Sequence, residues 1–289
     1  KFINTYKSIY DIDKLCKVMN INRSLYYYHL NNPQNSYEKS NELMEAEIKR
    51  VYEDSKERYG APKITRILKS KGFKISEKRV SKIMRKAGLR SITVKKFNHC
   101  TSDKQDNTRE YPNLLEQNFN AEKPGQKWVG DITYIYTLET GWTYLAIVMD
   151  LFDLKVIGWH YSEKMDTDLV IKAFQKASKS RKLEHDSIFH SDRGSQYTAK
   201  EFEKLLEAKG IKHSYSKKGY PYDNASMESF NAILKKEEVN VNNYATFEEA
   251  KLAIFEFIES WYNNMRIHSS LDYITPNQKY KNYISSLTA

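Results

Sequence analysis

The period of the apolar residues changes at Lys127, and this change limits the chain more than any other feature. Upstream, apolar side chains recur every three to four positions, the spacing of amphipathic helices. Downstream, KWVGDITYIYT, GWTYLAIVMDLFD and KVIGWHYS follow one another as strand-like runs joined by intervals short enough for hairpins. DTDLVIKAFQKASKS then reads as a helix, SIFHSD as a fourth strand, TAKEFEKLLEAKG as a helix and IKHSYS as a fifth strand. Three strands together and then alternation with helices predict an α/β fold, with helices covering a mixed sheet. LAIVMDLF has the unbroken apolar character of a central strand buried on both faces.

Short helices occupy the amino-terminal part. Residues 11–30 read as two helices about a turn at Asn20–Asn22, with Leu15, Val18 and Met19 inward and Asn22 or Ser24 as the second cap. That pattern suits helix-turn-helix recognition and any small helical bundle alike. NNPQNSYEKS reads as a linker. The next helix places Leu43, Ile48, Val51 and Tyr52 on one face and runs to Gly60. Ile64, Ile67 and Leu68 give a further stripe. Ser76 caps a last helix with Val80, Ile83 and Met84 inward and Lys78, Arg79, Lys82, Arg85 and Lys86 outward, the candidate for DNA contact. The expected division is a helix-turn-helix-like segment at 1–32, a helical DNA-binding domain at 38–92, a connector at 93–122 and a catalytic core at 123–280.

Charge divides the same way. Residues 1–100 hold 23 Lys and Arg against 10 Asp and Glu, whereas the remainder holds 24 against 27. A basic surplus confined to one end favours a polyanion through counterion release. Cys16 and Cys100 form no metal-ligand spacing, so reduced thiols of a cytosolic protein are expected. No apolar run approaches the ~20 residues that span a bilayer.

Three acids stand out against this background. Asp131 lies inside an aromatic and β-branched run, where an unpaired charge is costly. Asp192 ends the fourth strand, and Glu228 opens a helical pattern 36 positions later. Singly, each reads as a cap or an ion-pair member. Together they can hold two Mg²⁺ about 4 Å apart over a phosphodiester. Asn231 and Lys235 share the helix face of Glu228, so a lysine there would meet phosphate or a terminal base. Lys217 and Lys218 form a basic loop ahead of that helix. His190 and Arg193 flank Asp192 and are candidates to orient it or meet phosphate. Asp223 and Asn224 read as helix caps, and Asp150 as structural.

The segments WVGDITYI, HSDRGSQYT, KKGYPYDNASMESF and YNNMRIHSSLDYITPNQ resemble the DDE recombinase core shared by insertion-sequence transposases and retroviral integrases. The closer resemblance is to the OrfB-type transposase of the IS3 family. ERYGAPKIT and SEKRVSKIMRKAGL resemble the helix-turn-helix region that precedes that core. The resemblance implies an RNase H-like fold with strand order 3-2-1-4-5. It also implies Asp131, Asp192 and Glu228 as catalytic metal ligands, with Mg²⁺ or Mn²⁺ as cofactor. It implies double-stranded DNA with terminal inverted repeats and target DNA as partners, a homo-oligomeric complex associated with the bacterial nucleoid, and a circular intermediate. Family members commonly act with an upstream OrfA-type protein or fused segment, and this chain has no long heptad run. It also lacks the His/Cys zinc domain of retroviral integrases. The reading is a DNA-cutting and DNA-joining enzyme, with a non-catalytic DNA-binding regulator or a hydrolytic RNase H-like nuclease as alternatives.

Overall fold

The computed structural model describes residues 2–31, 36–94, 111–183, 186–217 and 221–288. Two compact units emerge. One comprises Lys1–Asp54 with Gly60–Arg90, and the other comprises Ser55–Tyr59 with Ser91–Ala289.

The first unit is all helical: α1 (Phe2–Tyr6), α2 (Ile12–Val18), α3 (Arg23–Asn31), α4 (Ser36–Asp54), α5 (Ala61–Ser70) and α6 (Glu77–Lys86). Asn20 takes a left-handed φ of 51° between α2 and α3, and Asn22 accepts the Ser24 N–H as expected of a cap. The small core here is Ile3, Leu15 and Cys16, with Ile12, Ile21 and Tyr26 packed on it. Val18, expected inside, is 81% exposed, and Met19 faces out as well. Cys16 takes the inward position, one residue along the helix from Leu15. Helix α4 begins within the expected linker and stops at Asp54, short of Gly60. Lys56 and Glu57 follow with φ of 50° and 62°, a left-handed backbone that a helix cannot continue through. Ile48, Val51 and Tyr52 are buried, while Leu43 is exposed.

In α6, Ser76 accepts the Arg79 N–H, and Val80, Ile83 and Met84 are buried. Lys78, Lys82, Arg85 and Lys86 lie exposed on the opposite face. Arg79 does not join them. Its guanidinium donates to Asn41 Oδ1 at 2.8 Å and to Ser40 Oγ at 2.9 Å, tying α6 to α4.

The second unit is built on a mixed five-stranded sheet in the order β3-β2-β1-β4-β5. β1 (Lys127–Thr137), β2 (Gly141–Asp150) and β3 (Lys155–Ser162) form an antiparallel meander, and β4 (Ile188–Ser191) and β5 (Lys212–Tyr215) add in parallel. The order matches what the resemblance implied, and the mixed pairing matches what the succession of strands and helices predicted. α7 (Thr167–Ser180) and α8 (Lys200–Glu207) close one face over a core that includes Trp128, Val148, Phe174, Phe189 and Phe202. Gly158 permits this closure, because a Cβ there would sit 2.4 Å from Ala173 O and Ala177 N. α9 (Ala225–Glu237), α10 (Phe247–Phe255), a π-helical turn at Glu256–Tyr262 and α11 (Pro276–Thr288) complete the unit.

Buried ion pairs fasten the periphery. Asp150 and Asp153, both fully buried, receive the Arg181 guanidinium at 2.8 and 2.7 Å. Asp150 also accepts from Gly125 N–H and Trp128 Nε1, so its role is structural. Arg266 pairs with Glu237 at 2.9 Å. The segment Ser55–Tyr59 is seated nearby: Arg58 donates to Glu237 O at 3.0 Å and pairs with Glu238 at 2.6 Å. Tyr59 Oη donates to Met265 O and accepts from Ile267 N–H.

Candidate active site

β1 and β4 run parallel with Val129 opposite His190, so Asp131 and Asp192 lie nearly level, two residues beyond that pair. Asp131 is half-buried in the middle of β1, and Asp192 emerges just past the end of β4. Gly130 helps bring them together, since a Cβ there would clash with the Phe189 ring at 2.5 Å. The Asp192 Oδ1 accepts the Gly194 N–H at 3.0 Å, which fixes the carboxylate at the start of its loop.

α9 supplies the other members. Glu228 is exposed on its first turn. Asn231, one turn further, donates its amide to Asp131 Oδ2 at 2.6 Å. Asn231, expected to contact DNA, is thus bonded to a carboxylate of the trio in this structure. The spacing from Glu228 already placed it on the same helix face.

The electrostatics record three like charges converging. Burial pushes Asp131 up to about 7, the Asp192 charge adds to this and Glu228 contributes further, while the Ile132 N–H and Asn231 pull the other way. Asp192 is raised by loss of water around it, against the Gly194 hydrogen bond. Tyr197, buried beneath the pair, has its hydroxyl held firmly protonated by burial and by both aspartates. Mutual repulsion of this kind is relieved by a proton or by a cation. Hard carboxylate oxygens in this surplus fit a divalent ion such as Mg²⁺. Among the described residues, however, no three His, Cys, Asp or Glu side chains are already drawn together as a metal-holding group.

The flanking candidates fall into different places. His190 is fully buried and spans to β5 and its exit, with Nδ1 2.8 Å from Ser214 Oγ and Nε2 3.0 Å from Ser216 Oγ. Burial lowers its pKa to about 4, so the ring is neutral and sits in the interior of the sheet. Arg193 donates to Ser216 O at 2.9 Å and lies 5.5 Å above the Tyr111 ring. Lys217 is exposed, and its backbone N–H donates to Asp223. Lys218 lies outside the described residues. Lys235 lines a cleft with Tyr134, Tyr136 and Trp142.

Asp223 is not the helix cap expected of it. Buried, it accepts from Lys217 N–H six residues before it and from Asn113 Nδ2 and Gln117 Nε2, joining the 113–117 segment to its own loop. Asn224 stands at the cap position of α9 but makes no side-chain cap bond. No local signal in the sequence identifies Asn113 or Gln117 as the partners of Asp223.

Residues 121–221 match an integrase core domain family, residues 209–276 match a second integrase core domain model, and residues 38–97 match an HTH-like domain. The transposase for insertion sequence element IS904 of Lactococcus lactis is 41% identical over 81% of this chain and 92% of its own length. The transposase InsF for insertion sequence IS3A of Escherichia coli is 35% identical over 96% of each chain. An RNase H-like sheet, acids carried on β1, just past β4 and on α9, and identity sustained along nearly the whole sequence all agree: the chain belongs to the IS3-type insertion-sequence transposases of the DDE and integrase superfamily.

Proposed function

We propose that this chain is a metal-dependent polynucleotidyl transferase that binds the terminal inverted repeats of an insertion element. It cleaves one DNA strand and transfers the 3′-hydroxyl end to another phosphodiester. The observation that carries this reading is the placement of Asp131 and Asp192 level beside each other on β1 and just past β4, with Asn231 of the Glu228 helix bonded to Asp131; burial, then the charge of Asp192 and that of Glu228, push the Asp131 carboxyl up. A carboxylate partly buried in a central strand and facing two like charges costs a fold stability unless it serves a purpose such as holding a cation.

Asp131, Asp192 and Glu228 would hold Mg²⁺ or Mn²⁺, two ions per site. The ions supply Lewis-acid stabilisation of charge on the attacking and leaving oxygens. Asn231 restrains Asp131 through Oδ2, and the Gly194 N–H restrains Asp192. Fixed carboxylates of this sort keep reacting groups aligned without a covalent protein–DNA intermediate. Lys217, Lys218 and Lys235 meet phosphates beside the reacting bond. The exposed Lys78, Lys82, Arg85 and Lys86 of α6 hold the duplex through its backbone. Residues 38–92 act as the DNA-binding domain, residues 93–122 as the connector and residues 123–280 as the catalytic core. The active form is a homo-oligomer on DNA, with an upstream OrfA-type protein or segment, in the bacterial cytoplasm at the nucleoid. No helix among the described residues is long and apolar enough to cross a membrane.

The test is joining of a labelled element-end duplex in Mg²⁺ by wild type and by Asp192→Asn, with DNA binding measured in parallel. Joining by wild type, lost in a variant that binds equally well, supports the reading. Cleavage without joining would favour a hydrolytic nuclease, and binding without chemistry in both proteins would favour a regulator.

A further inference from the structure

The β1–β2 hairpin carries a group of aromatic side chains that the folding core does not use. Tyr136 and Trp142 are register partners, and so are Tyr134 and Tyr144. Tyr134, Tyr136 and Trp142 are 46%, 52% and 60% exposed. Their rings meet edge to face: Tyr136 and Trp142 have centroids 5.3 Å apart at 74°, and Tyr134 and Trp142 6.5 Å apart at 88°. None of these three is stacked face to face on another.

These rings line a cleft of about 530 Å³ together with Lys235, Asn240 and Asn243. Lys235 is the one charged residue in the described lining, and it is a cation. The cleft shares two elements with the acidic trio, lying about 10 Å along each and, on β1, on the strand face opposite Asp131. Lys235 is seven positions after Glu228 on α9, and Tyr134 is three positions after Asp131 on β1. The Tyr134 hydroxyl is pushed up first by burial and then by the charge of Asp192, with Asp131 also acting on it, which places it within the field of both carboxylates.

We infer that this aromatic cleft binds unpaired nucleobases of the DNA strand next to the bond being broken and joined. Base-stacking surfaces combine aromatic faces with a cation for the backbone, and they tolerate sequence because every base has a π-face. Tyr134, Tyr136 and Trp142 supply the faces, Lys235 the cation, and Asn240 and Asn243 a polar rim. Leu138 and Val239 also line the cleft, and it is the single cation set among three asparagines that favours a phosphate backbone over a protein face. This inference rests on the transferase reading and assigns that site a second component.

The experiment uses the full chain and two probes, a blunt duplex and the same duplex with a short unpaired thymidine tail. Trp142 is the one exposed tryptophan of four, so quenching of its fluorescence reports the tail directly. Wild type is expected to bind the tailed duplex more tightly. Trp142→Ala loses about tenfold of that preference, keeps its blunt-duplex affinity, and Trp142→Phe restores most of it. The exposure of the ring means that Trp142→Ala opens no core cavity, and Tyr136→Ala provides a second, independent variant. Equal affinity of wild type for the two probes overturns the inference, as does a tail preference unchanged in both alanine variants. Loss of self-association in Trp142→Ala with tail affinity intact also overturns it, making the face a contact between copies. Strand joining by wild type, measured alongside, reports on the transferase reading by itself: joining without tail preference sinks the cleft alone.

Discussion

Asn231 holds Asp131 by a 2.6 Å hydrogen bond between α9 and β1, joining the helix of Glu228 to the strand of the most buried carboxylate of the trio. Partners that orient a ligating carboxylate typically contribute 10–100-fold to affinity or activity. Asn231→Ala is therefore expected to lower strand joining by about that factor and to raise the Mg²⁺ concentration needed for half-maximal rate. DNA affinity should be unchanged. A gel-based joining assay across a Mg²⁺ series decides this, and a variant that loses DNA binding instead would return Asn231 to the phosphate contact expected from sequence.

Arg58 and Glu238 form a buried pair, with side chains 5% and 10% exposed. Removing one partner of such a pair strands the other charge and costs about 3–5 kcal/mol. Burial already pushes the Glu238 carboxyl up, against the pull of Arg58. Arg58→Ala should lower the denaturant midpoint markedly, and adding Glu238→Gln should recover part of the loss. Full additivity of the two substitutions would argue against the pairing.

Gly158 lies under α7 with no room for a methyl group. Gly158→Ala should destabilise the second unit by about 1–3 kcal/mol through overpacking. Equilibrium unfolding followed by far-UV circular dichroism measures it. An unchanged midpoint would mean that α7 shifts freely on the sheet.

The sheet was legible because strands declare themselves by local pattern: β1, β3 and α7 appear where alternation and periodicity placed them. Asp131 stood out in the sequence for a different reason, since an aspartate inside WVGDITYIY has no cheap structural explanation, and the structure places it beside Asp192. Side-chain pairings across long sequence separations were not legible. Arg79 reads as one more outward cation until Ser40 and Asn41 are brought beside it. His190 reads as a neighbour of Asp192, but it lies inside β4 while Asp192 lies past the strand's end, and its ring is taken up by Ser214 and Ser216, which the sheet brings beside it. Val18 and Cys16 exchange roles because a seven-residue helix carries too few apolar positions to fix its own rotation.

His213 makes a prediction about acid stability. Its Nε2 lies 3.0 Å from Ser191 Oγ, and its Nδ1 is buried without a hydrogen-bond partner. Burial, with His190 adding to it, lowers its pKa to about 3. The unfolded chain takes up a proton near pH 6.5 whereas the folded chain resists until about pH 3. Stability is thus complete above pH 6.5 and lost as pH falls through that window, by up to about 1.4 kcal/mol per pH unit. His213→Gln, which keeps a donor for Ser191, should flatten this slope in denaturant titrations at a series of pH values.

The exposed cations of α6 predict a salt signature. Each of Lys82→Ala and Arg85→Ala should reduce the dependence of log affinity on log salt by about 0.9. Arg79→Ala should instead cost stability in the first unit, with the salt slope nearly unchanged. Affinity measured at several salt concentrations separates the two classes of cation.

The chain leaves the helical unit at Asp54, returns at Gly60 and leaves again after Arg90. The catalytic unit therefore does not correspond to one continuous interval. A fragment cut to begin at residue 91 would retain every acid of the trio and still lack Arg58 and Tyr59. It would start life with Glu238 stripped of its counter-ion and with a vacancy beside Trp261. Limited digestion and fragment design on this scaffold must treat five upstream residues as interior parts of the downstream body.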